Sequence, residues 1–234
     1  MRWIGVGVVM LGLAACGSVS QVPLPSYPTP PQAVLTGGQR FSNFSAVVAQ
    51  VEPVAEAMCR AQTRGVSCDY QISVDARPGQ PPNAYQTLDA AGRPVVAFTA
   101  ALISDAQNAD ELAFVMGHET AHHIAGHIPR QRESAATGAL LAGVLASLGG
   151  ADAATIQQVQ RMGATVGARR FSQEFELEAD ALGTEIAFKA GFDPLRGALF
   201  FDRLPDPGDQ FLGSHPPNAS RREVVRLTMQ RLRG

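Results

Sequence analysis

The stretch "GHETAHHIAGHIP", Gly117 to Pro129, holds four of the five histidines of a 234-residue chain. His118 and His122 are four apart, so on a helix they project from one face about one turn apart and can share a metal ion. Glu119 follows the first histidine directly, which sets it beside the pair, poorly placed to ligate and well placed to take a proton from a water. This HExxH spacing is that of a zinc hydrolase, with one Zn2+ per chain. His123 and His127 form a second i, i+4 pair with Ile124 where a base would stand. They read as packing residues or as hydrogen-bond partners of the ligands.

A catalytic zinc site takes three protein ligands and keeps one position open, so a third ligand must come from elsewhere. The pattern HExxHxxGxxH fails here, because Ala125 and Ile128 stand where its glycine and third histidine belong. The cysteine-ligated peptide deformylases disagree with the export signal described below. A glutamate on a later helix remains. The segment "FSQEFELEADALG", Phe171 to Gly183, offers Glu174, Glu176 and Glu178. Glu176 and Asp180 share one face of a helix, and Glu174 and Glu178 share another.

Three pieces, "HETAH", "FELEAD" and "SHPPNASR", occur here in an order similar to that of family forty-eight of the zinc metallopeptidases. The resemblance runs over roughly residues 40 to 232 and is closest in layout to the periplasmic lipoprotein members. "NAY", Asn83 to Tyr85, resembles a segment of the same family, and His127 fits its HExxHxxxxH form. The resemblance implies a gluzincin in which His118, His122 and Glu176 bind zinc, Glu119 is the base and Asp180 orients a ligand. It implies two roles for His215, as a hydrogen-bond donor to the oxyanion or as a fourth zinc ligand that keeps the enzyme latent. Arg221 matches a family arginine that holds the loop or assists the transition state. The implied activity is endoproteolysis of unfolded or misassembled envelope proteins, with outer-membrane assembly machinery as a partner. A zinc-stabilised lipoprotein that holds such clients without cutting them is the alternative, and Glu119 argues against it, since a structural zinc needs no base.

These residues need a helix under them. Asn108 and Glu111 have capping-box spacing, Leu112, Val115 and Met116 form an apolar stripe, and Pro129 is expected to end the helix. Phe175, Ala179, Leu182 and Ile186 mark a second helix, closed by Gly191 and Pro194. Upstream, strand-like runs alternate with Pro and Gly turns, giving two or three strands, of which "PVVAFT", Pro94 to Thr99, is the expected sheet edge for an extended peptide. The expected class is α+β, mainly helical, with a small sheet beside the HExxH helix. "AATGALLAGVLASLGG", Ala135 to Gly150, is too short and too rich in Ala and Gly to span a membrane. It reads as a small-residue helix packed beside the catalytic helix, with a mobile lid as the other role open to it.

The N-terminus says where the domain works. Arg2 and the apolar run Ile4 to Leu13 read as a signal peptide over residues 1–15. "LAAC" resembles a bacterial lipobox, which makes Cys16 the lipidated first residue of the mature chain. Residues 16–38, with five prolines between Pro23 and Pro31, form a semi-extended tether, leaving 39–234 as the metallopeptidase domain. Gly17 and Ser18 resemble the sorting signal for the periplasmic face of the outer membrane. Cys59 and Cys68, in an exported chain, are expected to form a disulfide between the first helix and the following strand. A net charge of −2 and a pI near 6.2 speak against nucleic acid as a partner. The basic residues near the C-terminus read as a solvated helix face.

Overall fold

The computed structural model describes residues 37–170, 172–205 and 216–234. Cys16 and His215, together with the signal peptide and most of the tether, lie outside these residues. Helix α1 (Gly37–Gln62) is followed by β1 (Gln71–Asp75), β2 (Ala84–Leu88) and β3 (Pro94–Thr99), then by α2 (Ala100–Asp105) and α3 (Ala109–Ile124). Next come α4 (His127–Leu148), α5 (Ala153–Arg170), α6 (Ser172–Lys189), α7 (Pro194–Gly197), a 3-10 turn (Ala198–Arg203) and α8 (Asn218–Arg233). The fold is thus mainly helical with a small three-stranded sheet. None of the described helices is long and apolar enough to cross a membrane.

The core forms between α1, the sheet and α3. Phe44, Val47, Val51, Ala55 and Met58 recur at helical spacing on α1, and all are buried. They pack with Phe98 of β3 and with Ala113, Phe114 and Met116 of α3. Cys59, in the last turn of α1, is joined to Cys68 as a disulfide with Cα atoms 5.7 Å apart.

Strand β3 lies in the centre of the sheet, paired with β1 in parallel and with β2 antiparallel. The expected edge at Pro94–Thr99 is therefore corrected: the edges are β1 and β2. Its nearly unbroken apolar run, buried at five of six positions, is the mark of a strand covered on both faces.

Helix α3 begins where its capping residues require. Asn108 accepts a hydrogen bond from the Glu111 backbone N–H at 3.1 Å, and the Glu111 carboxylate accepts one from Gln107 N–H at 2.9 Å. Arg203 closes on the same buried carboxylate with two bonds of 2.8 and 2.7 Å. The helix stops at Ile124, before the expected Pro129, because Gly126 turns the chain with φ of 66°. Pro129 instead sits in the first turn of α4, where its missing N–H costs no hydrogen bond.

Helices α3 and α6 cross at two glycines. A Cβ added to Gly117 or to Gly183 would stand 2.6 Å from the other helix's backbone. This contact lies next to His118 and within one turn of Asp180, so it sets how closely the two halves of the site approach. Helix α4 packs along α5, not along α3 as expected. The match is again small residues: a Cβ at Gly138 would meet Gly163 O at 2.2 Å, and one at Gly167 would meet Ser134 O at 2.1 Å.

Candidate metal centre

His118 and His122 project from one face of α3, and Glu176 of α6 reaches across to them. One atom from each of the three lies within 4.8 Å of the others. The separations are 3.0 Å between the two Nε2 atoms and 3.5 Å from each of them to a Glu176 oxygen. Two ligands held about 2.1 Å from a tetrahedral zinc stand about 3.4 Å apart, so the triangle has the right size and a donor set of two imidazoles and a carboxylate.

Hydrogen bonds on the far side of each imidazole leave those Nε2 lone pairs facing inward. His118 Nδ1 lies 2.9 Å from Asp180 Oδ1 and 3.3 Å from Arg221 Nη2. The shorter contact makes Nδ1–H the donor to the carboxylate. Asp180 is fully buried, and Arg221 holds it with two bonds of 2.7 Å. Burial alone would raise the Asp180 carboxyl, but His118 and Arg221 hold it below the usual range. On the other imidazole, His122 Nδ1 meets His127 Nδ1 at 2.7 Å. His127 Nε2 in turn reaches Glu178 Oε2 at 3.1 Å, and Arg130 secures that carboxylate at 2.7 Å. Burial lowers the His127 imidazole, which favours its neutral form. A neutral His127 that donates from Nε2 to Glu178 accepts at Nδ1, so His122 donates from Nδ1 and presents a bare Nε2.

The facing Nε2 atoms, 3.0 Å apart, compete for one proton. Burial pulls His118 down, but Asp180 and Glu176 outweigh it and push it up to about 10. His122, desolvated and next to His118, is pushed down to about 3. Glu119 is raised above the ordinary carboxylate range by burial, with Glu176 adding to the effect.

A cleft of about 580 Å3 opens over these groups, lined by Asn83, by Ala84 to Gln86 of β2, by Glu119 and by Phe175 and Arg221. Gln86 and Glu119 line the same cleft, so β2, an edge strand of the sheet, borders this carboxylate. The structure brings together His118, Glu119, His122, Glu176, Asp180 and Arg221. His123 and His127 part company, because the Gly126 turn separates them. His123 bonds Ser67 O at 2.7 Å, while His127 folds back to His122. Glu178 entered the sequence reading only as a competing glutamate, and Arg130 did not enter it at all. Their i, i+4 partners give no hint of a contact made across two helices.

The sequence pattern of peptidase family M48 matches residues 43–228. A Vibrio cholerae protein provisionally named as a beta-barrel assembly-enhancing protease is 37% identical over 129 residues, covering 52% of this chain and 26% of that protein. The beta-barrel assembly-enhancing protease of Escherichia coli K12 is 29% identical over 151 residues, covering 59% of this chain and 31% of its own length. The matched segment is thus about a quarter to a third of these curated relatives.

Proposed function

That this chain belongs to peptidase family M48, and so is a metalloprotease, is the premise from which we propose a zinc-dependent endopeptidase acting on extended segments of envelope proteins. One observation carries the reading: two imidazoles and a carboxylate converge within 4.8 Å beside a half-buried glutamate, Glu119, that lines a cleft.

In this reading His118, His122 and Glu176 hold one zinc ion, and His215 remains a candidate for a fourth ligand at rest. A zinc ion there supplies a Lewis acid for the scissile carbonyl and lowers the pKa of a water. Glu119 takes the proton of the attacking water and returns it to the leaving amine, a role that its raised pKa suits. Asp180 fixes the His118 ring, and Arg221 keeps Asp180 ionised while its guanidinium stands 3.6 Å from Glu176.

The free edge of β2 gives substrate selection a physical basis. An extended peptide paired to it would pass directly over Glu119, held by main-chain hydrogen bonds that do not depend on side chains. Unfolded or misassembled chains supply such segments and folded ones do not. The lipobox at Cys16 supports an envelope lipoprotein on the periplasmic side of the outer membrane. The names of the two relatives support outer-membrane β-barrel assembly as the setting, with its machinery as a partner.

Glu119→Gln tests the mechanism. The variant should keep about one zinc per chain by metal analysis and lose hydrolysis of an unfolded polypeptide. Full activity in that variant removes the base. A wild type that binds zinc and clients but cuts none would mean that the chain is a holdase.

A further inference from the structure

We propose that the α4–α5 hairpin is a membrane-interface element that seats its outer apolar face in an anionic lipid surface. Leu140, Leu141, Val144, Leu145 and Leu148 are 64, 59, 48, 70 and 81% exposed, and together they form a stripe along α4. On α5, Met162 and Val166 are exposed as well. The inner faces hold Gly138, Gly163 and Gly167, where a Cβ would clash with the other helix's backbone, and Gly143, which packs against the Gln160 side chain. A hairpin in water turns its leucines inward and its small residues outward. This one does the reverse, which is how helices pair when the surrounding medium is itself apolar.

Charge points to the same occupant. From Ser134 to Ala151 the chain carries no charged residue, while the hairpin as a whole carries five arginines against Glu133 and Asp152, in a chain of net charge −2. Arg132 lies near the start of α4 and Arg161 and Arg169 lie on α5, while Arg130 is paired with Glu178. An apolar stripe with a basic surround is the composition of a helix that lies in the headgroup region, its apolar side about 5–10 Å deep. The uncharged run is too short and α5 too polar for a span.

The third support rests on the lipoprotein reading. Twenty residues separate Cys16 from the start of α1 at Gly37. A flexible chain of that length reaches about 25 Å on average, and an extended Pro-rich one about 60 Å. α4 itself is about 33 Å long. A lipidated Cys16 would therefore hold the domain within about 60 Å of a bilayer. The metal centre, whose His127 begins α4, stays at the hairpin's base and outside the lipid.

An environment-sensitive fluorophore on Leu145→Cys, in the full chain with the Cys59–Cys68 bond intact, tests this directly. With vesicles of phosphatidylethanolamine and phosphatidylglycerol, its emission should rise several-fold and be quenched by a nitroxide in the lipid. Phosphatidylcholine vesicles should give a smaller rise, and the same label on Gln230→Cys should not respond. Adding Leu141→Glu and Leu148→Glu should abolish the change and leave hydrolysis of a soluble unfolded substrate intact. A label that remains open to aqueous iodide in every vesicle overturns the proposal. So does protection that appears without lipid and grows with protein concentration, which would mean a second copy, or protection that needs an added unfolded client. The labelled chain carries Cys16→Ser, because an unacylated Cys16 thiol would take the fluorophore as well, and intact mass reports on the anchor separately in the unsubstituted chain.

Discussion

Arg221 and Asp180 form a closed two-point pair, Nε to Oδ2 and Nη2 to Oδ1, each at 2.7 Å. The same Oδ1 accepts from His118 at 2.9 Å. The last helix of the chain thereby fixes the ring orientation of a residue on the third. Arg221 also lies over the Phe201 ring at 4.0 Å, which removes one face of its guanidinium from water.

Removing one partner of this pair leaves a buried charge without compensation. Asp180→Ala should destabilise the fold by about 3–5 kcal/mol. It should also weaken metal binding by about 10–100-fold, through the freed His118 ring. Thermal unfolding and metal titration check the two effects, and wild-type values in both would remove the positioning role.

Metal uptake should release a proton. In the metal-free centre His118, raised to about 10, keeps a proton that the ion must displace, whereas His122, lowered to about 3, has none to give. Proton and metal compete, so affinity rises with pH and stops rising above about pH 10. The expected slope is about tenfold per pH unit between about pH 7 and 9. Calorimetry in two buffers of different ionisation heat should count close to one proton per ion. A count of zero would place the proton elsewhere.

Gly183→Ala should move α6 away from α3. The new methyl would meet His118 N at 2.6 Å, against backbone that cannot yield. Overpacking of this kind costs about 1–3 kcal/mol, and it should lower metal affinity because Glu176 moves with α6. Gly149→Ala, whose Cβ meets nothing closer than 3.4 Å, should stay within about 0.5 kcal/mol of wild type. Equal effects in the two variants would argue that the crossing does not set the site.

What could be read from the sequence was what a single helix encodes. The face shared by His118 and His122, the cap at Asn108 and the face shared by Glu176 and Asp180 all follow from a period of 3.6. Contacts made across a turn or between helices were not legible. The spacing of His123 and His127 suggested one face, but Gly126 adopts a left-handed conformation and sends the two rings in different directions. The run Pro94 to Thr99 reads as an edge when its own residues alone are considered, but it lies in the centre of the sheet. Its pairing on both sides depends on β1, which joins it in parallel from more than twenty residues upstream. The burial of Arg221 was hidden among solvated arginines because only Asp180, on another helix, distinguishes it.

The His127 contact yields the most specific prediction. His127 is not one of the three converging donors, but its Nδ1 accepts from His122 Nδ1 at 2.7 Å. Its ring stacks on Phe175 at 4.6 Å with planes 11° apart, so it has little freedom to turn. Glu178 and Arg130 fix which nitrogen carries the proton. His127 is therefore a positioning residue, acting on the metal through the tautomer of His122. His127→Phe keeps the stack and removes the acceptor, and it should lower metal affinity by about 10–100-fold with little change in melting temperature. In the cobalt-substituted protein, the visible absorption should shift relative to wild type. Glu178→Gln should have a smaller effect in the same direction, because the Glu178 side chain is 48% exposed and solvent can replace it. If His127→Phe binds metal as wild type does and gives an unchanged cobalt spectrum, then His122 is oriented by packing alone.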